Sequence, residues 1–116
     1  MCIRDRFAAN EGGPVVDMGP YYITALVTLL GSVKSVTSKS KKVFLEREIG
    51  IGPRKGKKFK VECDTTYVST LEFKNNSLIQ MTLSFDVKDH KRNHIELYLI
   101  HAKLVLHCIY AYSYFQ

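Results

Sequence analysis

From Ile79 to Val87 every second residue is apolar. Ile79, Met81, Leu83, Phe85 and Val87 alternate with Gln80, Thr82, Ser84 and Asp86. Successive strand side chains point to opposite faces, so this run fits a strand with one buried and one polar face, and not a helix. Tyr67, Ser69, Leu71 and Phe73 repeat the period upstream. Asn75-Asn76 lies between the two runs, where asparagine tolerates the positive φ of a tight turn. The stretch therefore reads as an antiparallel hairpin. Its second face, with Thr70, Glu72, Gln80, Thr82 and Ser84, suits water or another subunit.

Upstream the period changes. Ile23, Leu26, Val27 and Leu30 follow the i, i+3, i+4, i+7 rule of an amphipathic helix, and Gly31 is a suitable stop. Its start has two readings. The helix begins near Gly19 with Pro20 in its first turn, or it begins earlier, at Pro14, and bends at Pro20. At roughly 100° per residue the apolar stripe centres on Leu26 and Leu30. Asp17, Tyr21, Thr24 and Thr28 form a second stripe that points away from the core. A carboxylate and a phenol four residues apart share a helix face, which is the geometry of a site at a domain interface.

The remaining segments are extended. Val33–Val43 is β-branched and lysine-rich, as an edge strand is. Residues 44–58 contain Gly50, Gly52, Pro53 and Gly56 and read as a long loop. A short strand is expected over Lys60–Cys63, a polar loop over Asp89–Asn93, and another strand over His94–Leu99. The resulting class is α+β: one N-terminal helix packed on an open, mostly antiparallel β-sheet.

A chain of 116 residues holds one domain at most. Hydrophobic content of 46% with 24% charged residues excludes a disordered chain. No apolar run is long enough for a membrane helix, and no secretory h-region follows Arg4 and Arg6. A cytoplasmic protein without membrane association is expected. Cys2, Cys63 and Cys108 are odd in number and widely spaced, which argues against a disulfide framework or a C-x-x-C metal site. His90 and His94 flank a loop and a strand with no carboxylate in register, so no metal site is expected. The net charge of +6 gathers between Lys34 and Lys60. Only Phe44 and Phe59 lie nearby, too few for base stacking, so a solvated loop and edge strand account for it and no nucleic-acid partner is expected.

The segment Gly12-Gly13-Pro14-Val15-Val16-Asp17-Met18-Gly19-Pro20-Tyr21-Tyr22 resembles the helix that opens the C-terminal domain of Gfo/Idh/MocA-type NAD(P)-dependent oxidoreductases. Weaker matches follow in the family's order: Leu29-Leu30-Gly31-Ser32-Val33, Leu71-Glu72-Phe73, Ser84-Phe85-Asp86-Val87 and Ile95-Glu96-Leu97-Tyr98. The resemblance implies a partial C-terminal domain over residues 12–99. Residues 1–11 stand apart as a non-native or linker segment, Met1–Arg6 resembling translated adaptor sequence, and residues 100–116 stand apart as an atypical tail.

The resemblance also implies a function. A Rossmann domain preceding this one would hold NAD or NADP, and the present domain would close the pocket for a sugar, polyol or related hydroxy compound. The family's Asp-x-Gly-x-His pattern maps its carboxylate onto Asp17 and its histidine onto Tyr21, making these the implied catalytic pair. A cation from a Glu-Lys-Pro motif in the other domain would lower the phenol's pKa so that it serves as acid or base. Gly12 and Gly13 are implied near the cofactor, and Tyr22 and His90 near the substrate. Homo-oligomerisation through the sheet is implied as well. The chain contains neither a G-x-G-x-x-G turn nor the Glu-Lys-Pro motif, so alone it should not turn over substrate. Two other readings of the residues stand beside this: a free-standing, non-catalytic sheet module for self-association, and a small basic nucleic-acid-binding domain. At residue level, Asp17 also suits a helix cap and Tyr21 a polar-tipped interface tyrosine.

Overall fold

A computed structural model describes Phe7, residues 12–50 and 52–87, and the course of two strands, Glu96–Ile100 and Lys103–Tyr112. Gly13, at φ 97°, turns the chain into α1 (Pro14–Asp17), with Pro14 in the first turn. Met18 interrupts, and α2 (Gly19–Leu30) follows with Pro20 in its own first turn. The expected single helix is thus a short turn followed by a long helix, and both readings of its start apply in part. Pro20 is tolerated because first-turn N–H groups have no intrahelical acceptor to lose. Gly31, at φ 85°, ends α2, and its N–H donates to Val27 O at 2.9 Å.

Five strands form the main sheet. β1 (Val33–Lys41) is an edge, followed in space by β4 (Thr66–Phe73) and β5 (Leu78–Ser84). Beyond β5 lie β7 (Lys103–Tyr112) and then β6 (Glu96–Ile100). β5 and β7 run parallel, and the other three pairings are antiparallel. β7 lies within the segment read from sequence as an atypical tail.

The β4–β5 hairpin forms as its alternation requires, but β5 ends at Ser84, short of the exposed Val87, and Ser84, expected on the polar face, is buried. Leu71 pairs with Ile79 and Ser69 with Met81. Leu71, Ile79 and Met81, with Phe73 and Leu83, form a core in which Leu26 of α2 is buried and Tyr22, Ile23 and Leu30 pack at the margin. The hairpin turn puts Asn76 at φ 67°, and Asn75 Oδ1 accepts the Ser77 N–H at 2.9 Å. The opposite face carries Val68, Thr70, Gln80 and Thr82, which are exposed or half-buried. All of β1 after Val33 is exposed, as an edge rich in lysine should be. On it Lys34 Nζ meets Glu72 Oε1 at 2.9 Å and Ser35 Oγ donates to the same carboxylate. These contacts hold the Glu72 carboxyl below its usual pKa. Their contribution is present above the ordinary glutamate range and is lost as pH falls through the lowered value.

The segment expected as one long loop contains a second, two-stranded sheet. β2 (Glu46–Glu48) pairs with β3 (Lys58–Lys60), so the short strand expected over Lys60–Cys63 sits earlier. Glu46 opposes Lys60, Glu48 opposes Lys58, and Arg47 opposes Phe59. Opposite charges face each other on one side and the arginine–phenylalanine pair lies on the other. The glycines that suggested a loop occupy the turn between them. A second small core joins this sheet to the main one: Phe7, Val61 and Phe85 are buried together, with Met18 and Phe59 against them. Phe7 comes from the segment set apart in the sequence.

Replacing Phe73, fully buried, with alanine should cost about 3–5 kcal/mol. The half-exposed Val68→Ala should stay within about 0.5 kcal/mol. Urea denaturation of the two variants checks the difference.

Candidate functional site

The Gly12–Tyr22 segment runs across one end of the sheet, where β4 begins and β5 ends. Gly13 is buried there. A Cβ on it would stand 3.3 Å from Asp64 O and 3.6 Å from Cys63 Sγ. Both its positive φ and this close approach require glycine. The room left by its missing side chain is taken by the chain's own turn at residues 63–64. Gly12 beside it is half-buried.

Asp17 is the last residue of α1, half-buried, and its N–H donates to Gly13 O at 3.1 Å. It does not cap α2, whose N-cap is Met18. Tyr21 follows in the first turn of α2, its N–H donating to Met18 O at 3.3 Å. Its side chain is 77% exposed. Asp17 and Tyr21 thus bracket the break at Met18, and Tyr21 stands clear of the core. Tyr22 is half-buried and packs against the main core. His90 lies outside the described residues, as does His94. Among the described residues no group of three or more His, Cys, Asp or Glu side chains gathers to hold a metal ion.

The turn that seats Gly13 is polar and tightly held. Ser40 Oγ donates to Asp64 Oδ2, and Tyr67 stands nearby on β4. Burial, then the Asp64 carboxylate and the Cys63 thiol, push the Tyr67 phenol above its ordinary pKa. Burial likewise pushes the Cys63 thiol up, so it stays protonated at neutral pH.

The sequence reading missed a buried carboxylate beside this turn. Asp86 Oδ2 accepts from Thr65 Oγ1 and from Thr66 Oγ1, both at 2.6 Å, and Arg47 Nη2 pairs with Oδ1. The Asp86 side chain is only 8% exposed. Arg47 also donates to Phe85 O at 3.2 Å, and its guanidinium lies 5.0 Å from the Phe7 ring centroid and 5.5 Å from that of Phe44. From sequence alone, Arg47 belongs to the basic stretch between Lys34 and Lys60 that reads as solvated. One signal was present: Asp86 is the only charged residue between Leu78 and Val87.

The described residues build no dinucleotide cradle. Gly52 and Gly56 lie between the two strands of the small sheet and not between a strand and a helix. No helix among them is long and apolar enough to cross a membrane.

A scan of protein families matches residues 3–105 to the GFO/IDH/MocA C-terminal domain. The chain belongs to that family, and its fold is the family's α+β domain of an oxidoreductase. A search of curated proteins finds no match.

Asp86→Ala leaves Arg47 without its carboxylate and both threonine hydroxyls without their acceptor. It should cost about 3–5 kcal/mol, read as a lower urea midpoint.

Proposed function

We propose that this domain closes the substrate pocket of an NAD(P)-dependent dehydrogenase acting on a sugar, polyol or related hydroxy compound. The observation that supports it is Tyr21. The single helix face expected for Asp17 and Tyr21 is broken at Met18, but a tyrosine that is 77% exposed still follows a carboxylate closely across that break, inside the matched family segment. It stands on a helix, Gly19–Leu30, without a single charged residue. Tyr21, Leu29 and Val27 are exposed on that helix. An uncharged outer surface with large apolar groups is the kind another domain covers.

In this reading a preceding Rossmann domain covers α2 and presents NAD or NADP to the substrate beside it. Bound in that other domain, a nicotinamide would supply the hydride acceptor or donor for the carbinol carbon. The residues of this chain handle the proton. Ionised by the cation that the cofactor domain would bring beside it, Tyr21 Oη takes the hydroxyl proton as the carbon–oxygen double bond forms, and the neutral phenol returns it in reduction. Asp17, at the end of α1, orients the hydroxyl as a hydrogen-bond acceptor. The family resemblance also assigns Tyr22 and His90 to the substrate and the Gly12-Gly13 turn to the nicotinamide; Tyr22 packs on the core and Gly13 against residues 63–64, so their part is to hold the segment that carries Tyr21. The open sheet face with Val68, Thr70, Gln80 and Thr82 pairs with a second copy. The enzyme works in the cytoplasm without nucleic acid or membrane. The domain alone is inactive because it does not hold the cofactor against the substrate.

In the enzyme carrying both domains, Tyr21→Phe and Asp17→Asn should each lower kcat by about 10²- to 10⁴-fold, with the KM for the nicotinamide little changed. The 116-residue chain alone should show no NAD(P)H turnover. Near-native kcat in both variants, or turnover by the isolated chain, would refute the assignment.

A further inference from the structure

Asp17 and Tyr21 hang by backbone hydrogen bonds on two residues that have no chemistry of their own. The Asp17 N–H donates to Gly13 O, and the Tyr21 N–H donates to Met18 O. Both supports rest on structure gathered around Asp86. Gly13 sits against Asp64 O and Cys63 Sγ. The next residue, Thr65, is held on every side. Its N–H donates to Lys41 O at 3.1 Å, and its carbonyl accepts the Phe85 N–H at 2.9 Å. Its hydroxyl donates to Asp86 and accepts from the Val43 N–H at 3.3 Å. Met18 rests against the core of Phe7, Val61 and Phe85, and Phe85 is bonded to Asp86 through the chain. Arg47, paired with Asp86, stacks over Phe7 in that same core.

We infer that Asp86 is a positioning residue for Asp17 and Tyr21, acting through the Cys63–Thr65 turn that seats Gly13 and through the Phe7–Phe85 core that seats Met18. The inference rests on the proposed proton-transfer role of the pair, but the placement it describes is a property of this chain alone. The contacts involved join residues some twenty to forty positions apart: Thr65 and Asp86 are separated by 21 positions, and Arg47 and Asp86 by 39. A buried carboxylate with three donors transmits a shift to each of them, because none can be re-solvated cheaply.

The test is amide NMR and hydrogen exchange on the full chain, with Asp86→Asn and, as a milder change, Thr65→Val, which removes one donor and keeps the shape. Exchange at the Asp17 and Tyr21 amides should quicken about tenfold or more, with shifted resonances from Gly13 to Tyr21. The amides of Asn76 and Ser77, at the hairpin turn, should be unchanged. Lys34→Ala, which removes an exposed ion pair on β1, should leave Gly13–Tyr21 as in the native chain. Equal quickening at Ser77 and Asp17 would show a merely structural role and overturn the inference. So would an unperturbed Gly13–Tyr21 segment in both Asp86→Asn and Thr65→Val. These readouts do not involve hydride transfer, so a catalytically silent Tyr21 would refute the proposed chemistry and leave the placement result standing.

Discussion

One carboxylate joins parts of the chain that local structure would leave independent. Asp86 collects the start of β4 through Thr65 and Thr66, the end of β5 through its own backbone and Ser84, and the small β2–β3 sheet through Arg47. Burying a charge is costly unless every lone pair is used, and here both oxygens accept. The arrangement is therefore specific: a shifted strand register would leave the carboxylate or the hydroxyls unsatisfied. It also fixes the corner of the sheet at which α1 and α2 begin.

The apolar side of the fold is simpler and more local. α2 buries Leu26 over Leu71, Phe73, Ile79, Met81 and Leu83, and the one-sided alternation of β4 and β5 makes that packing possible. Its opposite side stays uncharged and exposed, which separates what holds the domain together from what it offers to a neighbour. The family to which the chain belongs builds its oxidoreductases with this domain as the C-terminal part. In the proposed enzyme the neighbour brings the nicotinamide and this helix brings the proton acceptor.

Much of this was readable from residues. Period-two alternation from Ile79 to Val87 can only sit one way in a sheet, and the helical wheel separated Leu26 from Tyr21 because the two stripes are far apart in angle. The lysines of Val33–Lys41 marked an edge for the same reason edges carry charge anywhere. What was not readable depends on contacts remote in sequence or on very short elements. Three-residue strands around a glycine-rich turn carry too few positions to show a period, so β2 read as loop and β3 was expected too late in the chain. Asp86 fell on the polar phase of its strand and looked solvated, because Arg47 and Thr65 are nowhere near it in the sequence. The break at Met18 falls between two first-turn prolines, Pro14 and Pro20, each of which the sequence offered as a helix start.

The central claim is that Tyr21 moves the substrate proton in an active site this domain shares with a cofactor domain. It is tested most directly by the solvent deuterium isotope effect on hydride transfer in the two-domain enzyme, native and Tyr21→Phe, followed under single-turnover conditions. A proton moving through Tyr21 predicts slower transfer in the variant, with an altered isotope effect. The same rate and the same isotope effect in both proteins would contradict it.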